Sequence, residues 1–241
     1  MIFTAPRGQV LQSLMKKIDK IPYPTIERIA LYARRLEALL EGGTWLISSE
    51  KIAHQCGVNP AQVRKDLAYF GEFGVRGVGY DVKELLQGIK RVLATDREWR
   101  LCIVGIGNLG QALVEHENFR KRRYHFVAAF DSDPAKQGKR LPGGLTIEPD
   151  DRIRVRVRQL EVEIGVISTP PHEAKRVAYL LMDAGIKAIL NFTPIQVRSG
   201  VTCVVRNVDF TVRLENLVYH LGKKPEKSKD PGPKDRLSKF Q

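Results

Sequence analysis

Residues 100–116 read RLCIVGIGNLGQALVEH: an apolar, β-branched run, three spaced glycines, then a helical pattern. This stretch constrains the fold more than any other in the chain. The run predicts a buried strand, and the glycines Gly105, Gly107 and Gly110 form a G-x-G-x-x-G turn into a helix. Each glycine has its own reason in such a turn. The first allows the tight bend, the second lets backbone approach a pyrophosphate, and the third lets helix pack on strand. With Ile106, Asn108 and Leu109 between them, they make a candidate phosphate loop at a helix N-terminus, where N–H groups and the helix dipole favour anions. Asp131 ends the next predicted strand, HFVAAFD, 21 residues after Gly110. A carboxylate there is placed to accept from adenosine ribose hydroxyls, and it repels a 2′-phosphate, which favours NAD(H) over NADP(H). Lys136, Lys139 and Arg140 follow closely enough to soften that preference. The bland alternative is a glycine turn that binds nothing, and Asp131 argues against it.

The same alternation continues downstream. VEIGVISTP, IKAILNFTP and GVTCVVRNVDF read as strands, and PHEAKRVAYLLMDAG and TVRLENLVYHLG as helices. Strands alternating with helices predict a doubly wound parallel sheet covered on both faces. Before residue 99 the pattern is helical. TIERIALYARRLEALLEGG carries an apolar stripe, with Thr25 as the expected cap and Gly42-Gly43 as the stop. In SSEKIAHQCGVNPAQVRKDLAYFG, Ser49 is the expected cap of one short helix, Gly57 breaks it, and Asn59-Pro60 starts another. Two short helices around a glycine turn predict a helix-turn-helix. The fold class is therefore α/β with an N-terminal helix-turn-helix module. The expected division is an extension at 1–20, a DNA-binding domain at 21–98, a nucleotide domain at 99–210, a closing helix at 211–222 and a basic, disordered tail at 223–241.

The 241 residues are 43% hydrophobic and hold no apolar run near 18 residues, which excludes a helix-spanning membrane protein. The N-terminus lacks a signal-peptide pattern, so a cytoplasmic protein is expected. Cys56, Cys102 and Cys203 are scattered and odd in number, so neither zinc nor a disulfide framework is implied, and no metal is expected. The net charge of +13 suits a polyanionic partner but does not locate one: basic and acidic residues number 15 and 11 in 1–99, 18 and 13 in 100–222, and 7 and 3 in 223–241. A dehydrogenase would need an acid/base group at the nicotinamide. The Tyr219-x-x-x-Lys223 match falls at the end of the closing helix and reads as chance, and His116 and His172 read as surface residues. No catalytic residue is assigned. An NAD-dependent oxidoreductase with a fused DNA-binding domain is the alternative.

VRKDLAYFGEFGVRGVGY, CIVGIGNLG, FDSDP, GIKAILNFTP and NVDF follow one another in the order found in the Rex family, the bacterial redox-sensing repressors that read the NADH/NAD+ ratio. The chain resembles that family over residues 20 to 221. The resemblance implies a winged helix followed by a Rossmann-type domain, and a homodimer formed by exchange of the last helix, with Val212, Leu214, Leu217, Val218 and Leu221 as its apolar face. It implies that 59–70 is the recognition helix in the major groove of an inverted-repeat operator, with Gln62, Arg64 and Lys65 facing DNA, Leu67 and Phe70 in the core, and Asp66 orienting a neighbour or buttressing the helix. GVRGVGY would be the wing, with Arg76 and Gly77 at the duplex. Thr169, Pro170, Asn191, Phe192, Pro194 and Phe210 would line the nicotinamide end, and NADH or NAD+ would be the regulatory ligand. Arg34, His116 and Asp209 would form a polar relay between winged helix and nucleotide domain. Where the family usually carries an aromatic residue, often Tyr, this chain has His116, which puts a titratable imidazole at that contact.

Overall fold

The computed structural model describes residues 21–71, 73–75 and 77–222. The 1–20 extension, the 223–241 tail and Arg76 lie outside the described residues. The chain parts into two compact units between Glu98 and Trp99.

The first unit is built on helix α1 (Tyr23–Glu41), which buries Ile29, Tyr32, Ala33 and Leu36 on one stripe. It starts earlier than the sequence suggested. Pro22 is the extended N-cap residue, and Thr25, the expected cap, is buried with its hydroxyl donating to Asp66 at 3.2 Å. Strand β1 (Leu46–Ile47) precedes α2 (Ser49–Cys56), and here Ser48 is the cap, accepting from the Lys51 N–H at 3.3 Å. Ser49 is buried instead. Both misassigned residues are good caps by type, but a long-range partner claims each side chain. Gly57 closes α2 in the left-handed region at φ 66°. Asn59 then caps α3 (Pro60–Ala68), accepting from the Gln62 N–H at 2.8 Å, as expected of Asn before Pro. Strand β2 (Tyr80–Asp81) pairs antiparallel with β1 and leads into α4 (Val82–Val92). Gly79, at φ 113°, lies so close to β1 that a Cβ would sit 2.6 Å from the Ile47 carbonyl oxygen. The core joins Ile29, Tyr32 and Leu36 to Ile52, Val63, Leu67, Leu85 and Ile89, and Phe70 packs half-buried at its edge. Each fully buried aliphatic side chain contributes about 1.5–3 kcal/mol.

The second unit contains β3 (Trp99–Val104), α5 (Asn108–Glu115), α6 (Glu117–Lys121), β4 (Tyr124–Phe130), β5 (Ile147–Glu148), α7 (Ile153–Gln159), β6 (Ile164–Ile167), α8 (Ala174–Ala184), β7 (Ala188–Asn191), β8 (Val204–Asn207) and α9 (Phe210–Gly222). Its six strands run in the order β5-β4-β3-β6-β7-β8, all parallel. Side chains of β3 alternate between two cores. Cys102 and Val104 pack with Val157, Val177 and Leu181, while Leu101 and Ile103 pack with Ile106, Leu141 and Ile147. Chain order reverses between β3 and β6, and the crevice beyond the carboxyl ends of these strands is where doubly wound sheets bind ligands. Helix α9 buries none of its residues within the chain. Val212, Leu214, Leu217, Val218 and Leu221 stand 55–83% exposed.

Candidate nucleotide site and nucleic-acid interface

The glycine loop fills the reversal point. The N–H of Gly105 continues the β3–β4 pairing by donating to the Phe130 carbonyl at 2.8 Å, and its φ of 95° turns the chain. A Cβ on Gly105 would lie 2.7 Å from the Ser168 carbonyl carbon, and one on Gly110 would lie 2.1 Å from the Gly105 carbonyl oxygen. Those two glycines are required by the fold itself. Gly107 is not. Its φ is −90°, and a Cβ there would meet nothing within 4 Å among the described residues. It is the N-cap of α5, and no side chain caps that end. A bare helix N-terminus behind an exposed glycine is a cradle open to an external anion.

Asp131 sits beside this cradle and is 6% exposed. Its Oδ2 accepts the Ile106 N–H at 2.7 Å and the Lys136 ammonium at 3.0 Å, and its Oδ1 accepts the Asp133 N–H at 2.9 Å. Burial opposes the charge, but the N–H groups of Asp133 and Ile106 and the Lys136 ammonium outweigh it and hold the carboxyl below its ordinary pKa. The carboxylate is therefore ionised and pinned at the rim of the loop, with Lys136 screening it.

Neighbouring strand ends bring further candidates together. Thr169 and Pro170 follow β6, and the Oγ1 of Thr169 is buried with no hydrogen-bond partner among the described residues. Phe192 and Pro194 follow β7, and Phe192 stacks on Phe210 at 6.1 Å between centroids and 26° between planes. An orphaned hydroxyl, two stacked rings and an open phosphate cradle fit a dinucleotide with an aromatic end. Asn191 ends β7, next to Phe192. Its side chain is buried and committed within the protein: the amide nitrogen donates to the Ile195 carbonyl at 2.7 Å and to Asn207 Oδ1 at 2.8 Å, and the oxygen accepts from the Thr193 N–H and hydroxyl. It shapes the pocket wall and has no group left for a ligand.

The His172 side chain is 77% exposed with Glu173 at 3.8 Å, and Tyr219 is an exposed residue of α9. His116 lies at the corner between α5 and α6 and not within a helix, and its Nδ1 accepts the Asn118 N–H at 3.3 Å. Asp209 caps α9, accepting from the Thr211 N–H at 2.9 Å. Arg34 is exposed on α1 of the other unit. Burial pushes the Cys102 thiol up to about 12 and raises those of Cys56 and Cys203, which disfavours thiolate chemistry at all three.

In the first unit, α3 turns Val63, Asp66 and Leu67 inward and leaves Arg64 and Lys65 exposed. Arg64 donates to Ser49 Oγ at 2.9 Å and approaches Glu50 at 3.4 Å. Gln62, expected at the duplex, donates instead to Asp66 Oδ1 at 2.8 Å. Asp66 is fully buried and also accepts two hydrogen bonds from the Arg28 guanidinium, both at 2.7 Å, and one from the Tyr32 hydroxyl at 2.9 Å. This cluster clamps α3 to α1. The sequence left Asp66 either to orient a neighbour or to buttress the helix, and gave no sign of Tyr32, Arg28 and Thr25, which hold it from 34, 38 and 41 residues away. An open groove of about 660 Å³ runs from α3 to the wing and is lined by Ser49, Glu50, Arg64, Gly74, Gly77 and Val78.

Residues 20–68 match the family described as "Putative DNA-binding protein N-terminus", and residues 96–195 the family described as "CoA binding domain". A redox-sensing transcriptional repressor Rex of Syntrophobacter fumaroxidans is 55% identical over 85% of this chain and 98% of its own length. Among solved structures, RSP in complex with β-NAD+ and operator DNA matches at a TM-score of 0.80 and 32% identity, over 83% of this chain and 92% of that one. RSP in complex with β-NADH matches at 0.76 and 30%, over 84% and 94%.

Proposed function

Because the chain belongs to the Rex family of redox-sensing transcriptional repressors, we propose that it binds operator DNA as a homodimer in the cytoplasm and is released from it by NADH, with NAD+ competing for the same site. The observation that carries this reading is the pairing of a buttressed α3, with Arg64 and Lys65 turned outward, with a Gly107 cradle that no contact among the described residues explains. Arg64, Lys65, Arg76 and Gly77 would meet the duplex, the guanidinium of Arg64 by bidentate contact with guanine or by flanking phosphate. Gln62 would contribute through its amide oxygen, since Asp66 holds its nitrogen.

Gly105 to Gly110 and Asp131 would hold the adenosine diphosphate half, and Thr169, Pro170, Phe192, Pro194 and Phe210 the nicotinamide end. Asn191 would support that end by holding its loop. When bound, nicotinamide supplies a charge that depends on its redox state. The residues assigned to that end carry no charge, so burying the oxidised, cationic ring there costs more than burying the reduced, neutral one. A ligand moves a protein between two states only by its differential affinity for them. Arg34, Asp209 and His116 would relay the change, and exchange of α9 between subunits would cover its apolar face. No enzymatic activity is assigned, in keeping with the repressor names that its relatives carry.

Coenzyme A also carries an adenosine diphosphate, but with a 3′-phosphate on the ribose. Asp131, ionised and buried, opposes a phosphate there. Titrating the purified protein with NADH, NADPH and CoA tests the ligand assignment. NADH is expected to bind tightest, and preferential binding of CoA would overturn it.

A further inference from the structure

A buried amide, Asn191, and a half-buried one, Asn207, tie the loop after β7 to the root of α9. Asn191 and Asn207 end the adjacent strands β7 and β8 and are direct partners in their ladder. The Asn191 nitrogen uses both its hydrogens, on Ile195 O and Asn207 Oδ1, and its oxygen takes two donors from Thr193. Asn207 grips the far end of the same loop. Its Oδ1 accepts the Val197 N–H at 3.0 Å, and its nitrogen donates to the Val197 carbonyl at 3.0 Å. The Val208 N–H then donates to the Asn191 carbonyl at 2.8 Å. Residues 192–197 are thus held at both ends by one amide pair, and that loop carries Phe192 and Pro194.

The other side of the pair leads to α9. Asn207 is followed by Val208, by Asp209, which caps α9, and by Phe210, its first residue, whose ring stacks on Phe192. A polar network in which Asn191 spends its whole amide and Asn207 makes three hydrogen bonds fixes one geometry where apolar packing would allow several. Loop and helix root cannot shift independently while both amides keep their partners. We propose that Asn207 is a positioning residue of the switch: through Asn191 it locks the nicotinamide-side loop to the root of α9, so that ligand occupancy and the placement of α9 change together. Asn207 itself would touch neither ligand nor DNA. This proposal rests on the sensor reading above.

The test compares wild type, Asn207→Ala and Asn207→Asp, using the intact chain. Three quantities are measured: operator affinity without cofactor, NADH affinity by direct titration, and the NADH concentration that half-releases operator. For Asn207→Ala, operator affinity is expected to stay within about twofold, while the ratio of release midpoint to NADH dissociation constant rises on the order of tenfold, the scale of a lost allosteric coupling. Asn207→Asp keeps the acceptor for Asn191 and Val197 but turns a second oxygen toward the Val197 carbonyl, so it is expected to raise the ratio as well, by less than Asn207→Ala. If Asn207→Ala does not fold, Asn207→Asp must still raise the ratio measurably. A ratio equal to wild type in every folded variant would overturn the proposal. A wild-type protein that NADH fails to release would instead sink the sensor reading, and the two failures are distinct.

Discussion

At the scale of single residues, the chemistry rests on two buried carboxylates. For Asp66, burial opposes the charge, but hydrogen bonds from Arg28, Gln62 and Tyr32 outweigh it and depress the pKa. A depressed carboxylate stabilises the fold fully above its unfolded value of about 3.9, and that contribution is lost as pH falls through the lower folded value. Asp66→Asn is expected to cost about 3 kcal/mol at neutral pH, because it leaves the Arg28 guanidinium facing an amide. It should also flatten the acid dependence of a thermal melt; a variant that melts like wild type at pH 7 would show the clamp to be dispensable. Asp131→Ala is expected to weaken NADH binding and leave cofactor-free operator binding near wild type, read by titration and gel shift on the same sample. The place of Asp131 at the glycine loop was legible in the sequence, because it follows the glycines at the end of the next strand. The partners of Asp66 and the grip of Asn207 on Val197 were not, since nothing local marks a side-chain bond across 38 or 10 residues.

At the scale of elements, β3, β4, β6, β7 and β8 and helices α1, α2, α3, α5, α8 and α9 followed from periodicity, while β1, β2, β5, α4, α6 and α7 did not. IRVRVRQ alternates apolar and basic residues as a strand would, and no helix is legible in that pattern. It folds as a helix because Ile153 and Val157, four apart, face the core, while Arg156 bonds Glu148 at 2.7 Å and Arg154 pairs with Asp183. Val155 between them is 50% exposed. Val155→Lys is therefore expected to change stability by no more than about 0.5 kcal/mol, and Ile153→Ala to cost about 2–4 kcal/mol, by urea denaturation. The glycine loop offers a sharper contrast. Gly110→Ala should damage the fold, since its Cβ would meet the Gly105 carbonyl at 2.1 Å. Gly107→Ala should leave stability within about 0.5 kcal/mol yet weaken NADH binding clearly. If Gly107→Ala bound NADH like wild type, the cradle would be misassigned.

At the scale of the whole molecule, two modules with separate cores lie on either side of residue 98, one carrying the α3 cations and the other the nucleotide crevice. Val212, Leu214, Leu217, Val218 and Leu221 of α9 stand exposed in the single chain, and a second copy is the occupant that the proposed dimer supplies. Leu217→Glu is expected to lower the mass seen in sedimentation and weaken operator binding together. In the dimer, two symmetry-related recognition helices would require half-site centres roughly 34–36 Å apart. The central claim joins the modules: the redox state of the bound nicotinamide decides whether DNA is held. It is tested most directly by anisotropy on a labelled inverted-repeat duplex, selected by this protein from a random pool and titrated with NADH and with NAD+ on one preparation. The complex is expected to persist in NAD+, to dissociate with NADH, and to need more NADH when NAD+ is present. A complex that saturating NADH leaves intact, or that both forms release equally, would contradict the claim.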